Sequence, residues 1–169
     1  MDARREGEAN PMNNPTTAQR TSERELVVAR TFDAPARLVF EAWTKPELFQ
    51  RWWVPKGAPI VLVSCELDVR PGGRYRLEFA LVGDDSQRME FFGRYLEVVS
   101  PSRLVWTNEE GDGDGAITTV TFTETAGRTR VVVHDLYPTK AALDEAIASG
   151  STEGMPAQLE QLAEFLATS

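Results

Sequence analysis

The chain has 169 residues, of which 41% are apolar, 26% charged and 9% aromatic. That length supports one globular domain with a sizeable core, since folding at this size buries roughly 70% of the surface of the unfolded chain. Lys+Arg 18 against Asp+Glu 26 leaves a net charge of −8, which repels nucleic-acid phosphates and anionic membrane surfaces. The single cysteine, Cys65, excludes an intrachain disulfide and thiolate metal clusters, and no apolar run approaches the roughly 18 residues that a membrane helix needs.

Residues 1–24 contain no Val, Ile, Leu, Phe or Trp. Such a stretch cannot bury enough apolar area to offset its ordering entropy, so a disordered tail is expected over 1–24 and a folded domain over 25–169. The tail lacks the apolar region of a secretory signal, which points to a cytoplasmic protein. Its acidic and basic side chains cancel, so the whole negative charge lies on residues 25–169.

The folded part opens with Glu25-Leu26-Val27-Val28-Ala29-Arg30-Thr31-Phe32, a β-branched run that reads as a strand. Asp33 is placed to cap a helix with Pro35 at its first position. Leu38, Val39, Ala42 and Trp43 recur at helical spacing, so 35–44 is read as an amphipathic helix. Pro46 restarts a second short helix through Leu48, Phe49 and Trp52, ended by the turn signal Pro55-Lys56-Gly57.

The middle of the chain alternates. Val61, Val63, Cys65, Leu67 and Val69 share one parity, and Tyr75, Leu77 and Phe79 share another, the pattern of strands with one packed and one wet face. Pro71-Gly72-Gly73 between them reads as a tight turn joining antiparallel neighbours. Further strands follow at 89–99, 103–108, 116–124 and 129–136, for about seven in all, every connection being short. Residues 89–99 and 129–136 carry apolar side chains on both parities, so a bulge there reverses which side faces inward.

After Pro138 the period becomes helical. Ala142, Leu143, Ala146 and Ile147 form one stripe, and Met155, Leu159, Leu162, Ala163 and Leu166 another, with a bend or break expected at Ser149-Gly150-Ser151-Thr152 and Gly154. A C-terminal amphipathic helix beside a sheet with one apolar face packs across that face.

Arg30-Thr31-Phe32-Asp33-Ala34-Pro35, Val39-Phe40-Glu41-Ala42-Trp43-Thr44-Lys45-Pro46-Glu47 and Arg51-Trp52-Trp53-Val54-Pro55 resemble the opening of the family named for the activator of the ninety-kilodalton heat-shock protein ATPase. Asp68-Val69-Arg70-Pro71-Gly72-Gly73-Arg74-Tyr75-Arg76, Gly93-Arg94-Tyr95-Leu96-Glu97-Val98, Thr129-Arg130-Val131 and Gly154-Met155-Pro156-Ala157-Gln158-Leu159-Glu160-Gln161-Leu162 resemble its later motifs, in the same order. The resemblance places the chain in the START-like, birch-pollen-allergen-like superfamily (SRPBCC). It implies an α+β helix-grip fold: a curved antiparallel sheet of six to seven strands wrapped around a long C-terminal helix, two short helices after the first strand, and a cavity between. It also implies a small-molecule-binding protein, some superfamily members being cyclases or oxygenase subunits. The co-chaperone that names the family carries a separate N-terminal domain, where this chain has a 24-residue polar tail, so a chaperone partner is not expected. The family often shows Gly-Trp where this chain has Gly154-Met155, so ligand identity does not carry over.

Several side-chain groups bear on chemistry. Glu110-x-Asp112-x-Asp114-Gly115 copies half of a calcium loop, but Thr121 stands where the bidentate Glu belongs, so a solvated hairpin loop is the reading. His134, the one histidine, is followed by Asp135, which points to the opposite face of a strand and cannot orient it as a base. Its placement is structural or superficial, with the cavity wall as the alternative. Cys65 reads as a buried, inert thiol. Adjacent Trp52 and Trp53 cannot both point at one core, so the pair divides between core and cavity mouth.

Three functions fit. The first is binding of a small hydrophobic or amphipathic molecule in a cavity lined by Phe49, Trp52, Trp53, Tyr75, Leu77, Phe79, Phe92, Trp106, Phe122, His134, Met155 and Leu159. The second is acid–base catalysis there by His134 with Glu66 or Arg94. The third is a protein-interaction module, either a chaperone partner or a homodimer. Binding is the reading adopted, with no catalytic residue, metal or cofactor assigned.

Overall fold

The computed structural model describes residues 15–109 and 115–168. In chain order the elements are β1 (Thr17–Arg20), β2 (Glu25–Phe32), α1 (Ala36–Thr44), α2 (Pro46–Phe49), β3 (Ile60–Leu67), β4 (Arg74–Leu81), β5 (Asp84–Val99), β6 (Arg103–Thr107), β7 (Ile117–Thr125), β8 (Arg128–Leu136), α3 (Lys140–Ala148) and α4 (Gly154–Ala167), with one 3-10 turn at Ser151–Glu153. All strands join one antiparallel sheet in the order β1-β2-β8-β7-β6-β5-β4-β3. The sheet folds around α4, so the helix-grip expectation holds with eight strands in place of six to seven. Among the described residues no helix is long and apolar enough to cross a membrane.

The extra strand corrects the expectation of a tail running to residue 24. Thr17–Arg20 pairs with β2 in the register Thr17↔Ala29 to Arg20↔Leu26. Its sequence has no apolar signal because it joins through main-chain hydrogen bonds, and Thr21 N–H to Glu25 C=O at 3.0 Å closes the turn. Beneath it Arg30, 3% exposed, donates to Thr16 Oγ1 at 2.9 Å and pairs with Glu160 of α4. A buried guanidinium persists only when paired, so this cluster ties Thr16, just before β1, to α4. Residues 1–14 and the acidic loop 110–114 lie outside the described residues.

Helix α1 starts one residue later than expected and is capped differently. Pro35 is the N-cap residue, and the Ala36 N–H donates to Glu124 Oε1 of β7 at 2.9 Å. Asp33 instead faces Arg128 at 3.9 Å. Helix α2 ends at Phe49, short of the expected Trp52. The C-terminal helix is broken where glycine and serine concentrate: Gly150 sits at φ 82° after α3, whose cap is Thr139 accepting from Ala142 N–H. α4 then buries Gln158, Leu159 and Leu162, the two leucines joining the core cluster of Val28, Phe32, Val120, Phe122, Val131 and Val133 of the sheet and Val39, Phe40 and Trp43 of α1.

Strand β3 has the opposite parity to the one expected in its first half. The β3–β4 register shifts between Leu62 and Ser64, so Ile60 and Leu62 face inward before the bulge and Cys65 and Leu67 after it. Val61 and Val63 are left exposed. The Pro71-Gly72-Gly73 turn does join antiparallel neighbours, and Gly73 is required there because a Cβ would lie 2.0 Å from the Asp68 carbonyl oxygen.

Candidate functional site

A pocket of about 690 Å³ lies between the inner face of the sheet and the α2–α4 side of the fold. Its floor is regular alternation: Tyr75, Leu77 and Phe79 from β4, Phe91 and Tyr95 from β5, and Trp106 from β6. Gly93 lets β5 pass close to its neighbour, since a Cβ there would stand 2.1 Å from the Thr107 carbonyl oxygen and 2.8 Å from the Tyr75 ring. Its roof is Phe49 and Trp53, stacked with centroids 4.4 Å apart, together with Met155 and Gln158 of α4.

The roof is held by amides of α4. Gln158 Nε2 donates to the Trp53 carbonyl at 2.7 Å, and Gln161 Nε2 donates to the Trp52 and Val54 carbonyls at 2.9 Å each. Lys56 N–H donates back to Gln161 Oε1 at 2.6 Å. A segment without regular structure thereby has its backbone acceptors satisfied by a helix more than a hundred residues away, as buried backbone requires.

One end of the pocket is polar. The Tyr75 hydroxyl donates to the Thr107 carbonyl at 2.7 Å. Asn108 Nδ2 donates to the Ala116 carbonyl at 2.8 Å and to Thr118 Oγ1 at 3.0 Å, and the Thr118 hydroxyl donates to Asp135 Oδ1 at 2.5 Å. Burial raises the Asp135 carboxyl above its ordinary value, with the Thr118 hydrogen bond opposing the shift. Burial, assisted by Asp135, pushes the Tyr137 hydroxyl up to about 12. The indole N–H of Trp43, a residue of the pocket wall, is buried with no hydrogen-bond acceptor among the described residues.

Of the side chains named from sequence, Phe49, Trp53, Tyr75, Leu77, Phe79, Trp106 and Met155 line this pocket. Trp52 does not: it is fully buried, donating its Nε1–H to the Ala42 carbonyl at 3.0 Å. Phe122 and Leu159 are core residues as well. Phe92 is corrected to Phe91, because Phe91 shares the inward parity of Tyr95 and Phe92 does not. His134 is corrected to the outer face: Val131, Val133 and Asp135 point inward, and His134 Nε2 meets Glu25 Oε2 at 2.8 Å outside. That placement also separates the conjectured catalytic group. Glu66 on β3 lies five strand steps from His134 on β8, roughly 24 Å along the sheet, and Arg94 is held outside by Glu109 at 2.9 Å.

Sequence reading missed Tyr95, Asn108, Thr118 and Asp135. The signal for Asp135 was present, two residues after Val133 on the same parity. Cys65 is half-buried on the inward face, where burial pushes its thiol up to about 11.

The fold matches known proteins. A protein from Nitrosomonas europaea is 26% identical, with 87% of this chain and 96% of that one covered at a TM-score of 0.76. One from Rhodobacter sphaeroides is 21% identical, covering 90% and 98% at a TM-score of 0.80. An AHSA1-like protein from Aeromonas hydrophila, 22% identical over 79% and 92% at a TM-score of 0.59, shares the fold. No curated protein matches the chain. The model of the Activator of Hsp90 ATPase homolog 1-like protein family matches residues 33–167, from the end of β2 through α4, and the chain belongs to that family.

Proposed function

We propose that the protein binds a small, predominantly apolar molecule in the pocket between the sheet and α4. The observation that carries this reading is the pocket itself: about 690 Å³, walled by Phe49, Trp53, Tyr75, Phe79 and Trp106, with Asn108, Thr118 and Asp135 hydrogen-bonded together at one end. That combination, an apolar body and a small polar anchor, is the usual make-up of a small-molecule site. The aromatic roof is clasped from α4, so the walls are pre-formed and binding needs little ordering.

The test is titration of naphthyl-ethanol, a neutral apolar probe, followed by tryptophan fluorescence. Saturable quenching is expected with the wild type, and its loss with Met155→Trp, which adds bulk to the roof. Absence of quenching, or quenching unaffected by the filling variant, contradicts the reading.

A further inference from the structure

Among the described residues lining the pocket, Asp135 is the one charged side chain. Strand β8 sets it opposite Leu26 of β2 on one side and Thr118 of β7 on the other. The amide of Asn108 donates to Thr118 and the hydroxyl of Thr118 donates to Asp135 Oδ1. This relay runs donor to acceptor and ends on the carboxylate, and no second donor reaches Asp135 among the described residues. Leu26 is apolar, Tyr137 is neutral, and His134 occupies the far side of the sheet beside Glu25.

A carboxylate so placed is incomplete. Ionised, it is half-buried with one hydroxyl for company, and partial burial of a charge is unfavourable until an opposite charge joins it. The pocket offers that charge a second attraction, since Trp53, Trp106, Tyr75 and Tyr95 line it and aromatic faces attract cations. An anionic guest meets the reverse: no Lys or Arg lines the pocket among the described residues, and Asp135 repels it.

Resting on the ligand-binding reading above, we propose that the pocket's ligand is a hydrophobic amine: an aromatic or aliphatic body carrying one basic nitrogen that docks against the Asp135 carboxylate. The aromatic walls take the body and the Asn108–Thr118–Asp135 relay fixes the position of the nitrogen. Asp135 is then the residue that sets which head group the pocket accepts.

The experiment compares three probes with one ring system, naphthyl-ethylamine, naphthyl-ethanol and naphthyl-acetate, by calorimetry on the wild type and on Asp135→Asn. The wild type is expected to bind the amine at least tenfold more tightly than the acetate, with the alcohol between, and the variant to bring amine and acetate within about threefold of each other. The wild-type preference should persist at high salt, whereas loose accumulation of amine on a protein of net charge −8 is screened away. Circular dichroism checks the fold of the variant. Independently of any variant, the Asp135 carboxyl carbon resonance of the wild type should move with the amine and not with the alcohol. Equal affinities in the wild type, a preference that survives Asp135→Asn, or a stationary carboxyl resonance overturns the amine proposal while alcohol binding leaves the ligand reading standing. Failure of all three probes to bind overturns both.

Discussion

Gln158 of α4 donates its side-chain amide to the backbone carbonyl of Trp53 at 2.7 Å, so the C-terminal helix and the aromatic roof of the pocket are one mechanical unit. Gln161 repeats the contact one turn on, to the carbonyls of Trp52 and Val54. Gln158→Leu leaves a buried carbonyl unpaired and should destabilise the protein by about 1–3 kcal/mol. Denaturant melts should show that loss together with a red-shifted tryptophan emission, as Trp53 is released toward water. An unchanged emission would mean that the roof is held by other contacts.

Trp52 and Trp53 are neighbours in sequence with different duties. Trp52→Ala removes a fully buried ring and its hydrogen bond to Ala42, and should cost about 3–5 kcal/mol. Trp53→Ala should cost less and weaken naphthyl-ethanol binding more. Equilibrium denaturation and probe titration, run on both variants, separate the two roles; equal effects in both assays would contradict the assignment.

Asp135 should make stability depend on pH in a defined direction. Its carboxyl is raised in the folded state by burial, so its contribution is fully present below the unfolded value of about 3.9 and is lost as pH rises through the folded value. Asp135→Asn, which never ionises, should therefore melt higher than wild type at neutral pH. The gain should shrink as the pH falls toward about 4. A gain independent of pH, or a variant less stable at neutral pH, would contradict the shift.

Cys65, pushed up to about 11 by burial, carries almost no thiolate at neutral pH, and thiolate is the reactive form. Alkylation by iodoacetamide should be much slower in the native protein than in denaturant. Comparable rates, read by mass spectrometry, would place the thiol in water.

Glu124 caps α1 from a neighbouring strand. Glu124→Ala should cost about 1 kcal/mol, seen as a melting point about 2–4 °C lower. Asp33→Ala should cost less, because Asp33 makes no cap hydrogen bond. The reverse ranking would restore Asp33 as the cap.

Where the strand pattern is regular, sequence located the pocket floor directly: Tyr75, Leu77 and Phe79 alternate without interruption and all point inward. Where a bulge intervenes, alternation misleads, since one extra residue moves every later side chain to the other face. The shift after Leu62 puts Cys65 and Leu67 on the face opposite to Val61 and Val63, and Phe91 beside Phe92 offered two apolar choices of which one lines the pocket. β1 was illegible because Thr-Ala-Gln-Arg contributes main-chain bonds and no apolar face. The polar end was illegible for another reason. Asn108, Thr118 and Asp135 come from three separate segments, and their hydrogen bonds exist only once β6, β7 and β8 are side by side. The family motifs marked Gly93 and Trp53 without giving their purpose; the close approach of Thr107 and the clasp of Gln158 supply it.

Amide and indole N–H resonances recorded during addition of naphthyl-ethanol give the most direct test of the pocket as a binding site. The indole signals of Trp53 and Trp106 and the amides of Tyr75, Leu77 and Tyr95 should shift together to saturation, with His134 and Phe92 on the outer face unmoved. Shifts confined to the outer face, or none as the probe reaches its solubility limit, would contradict the account.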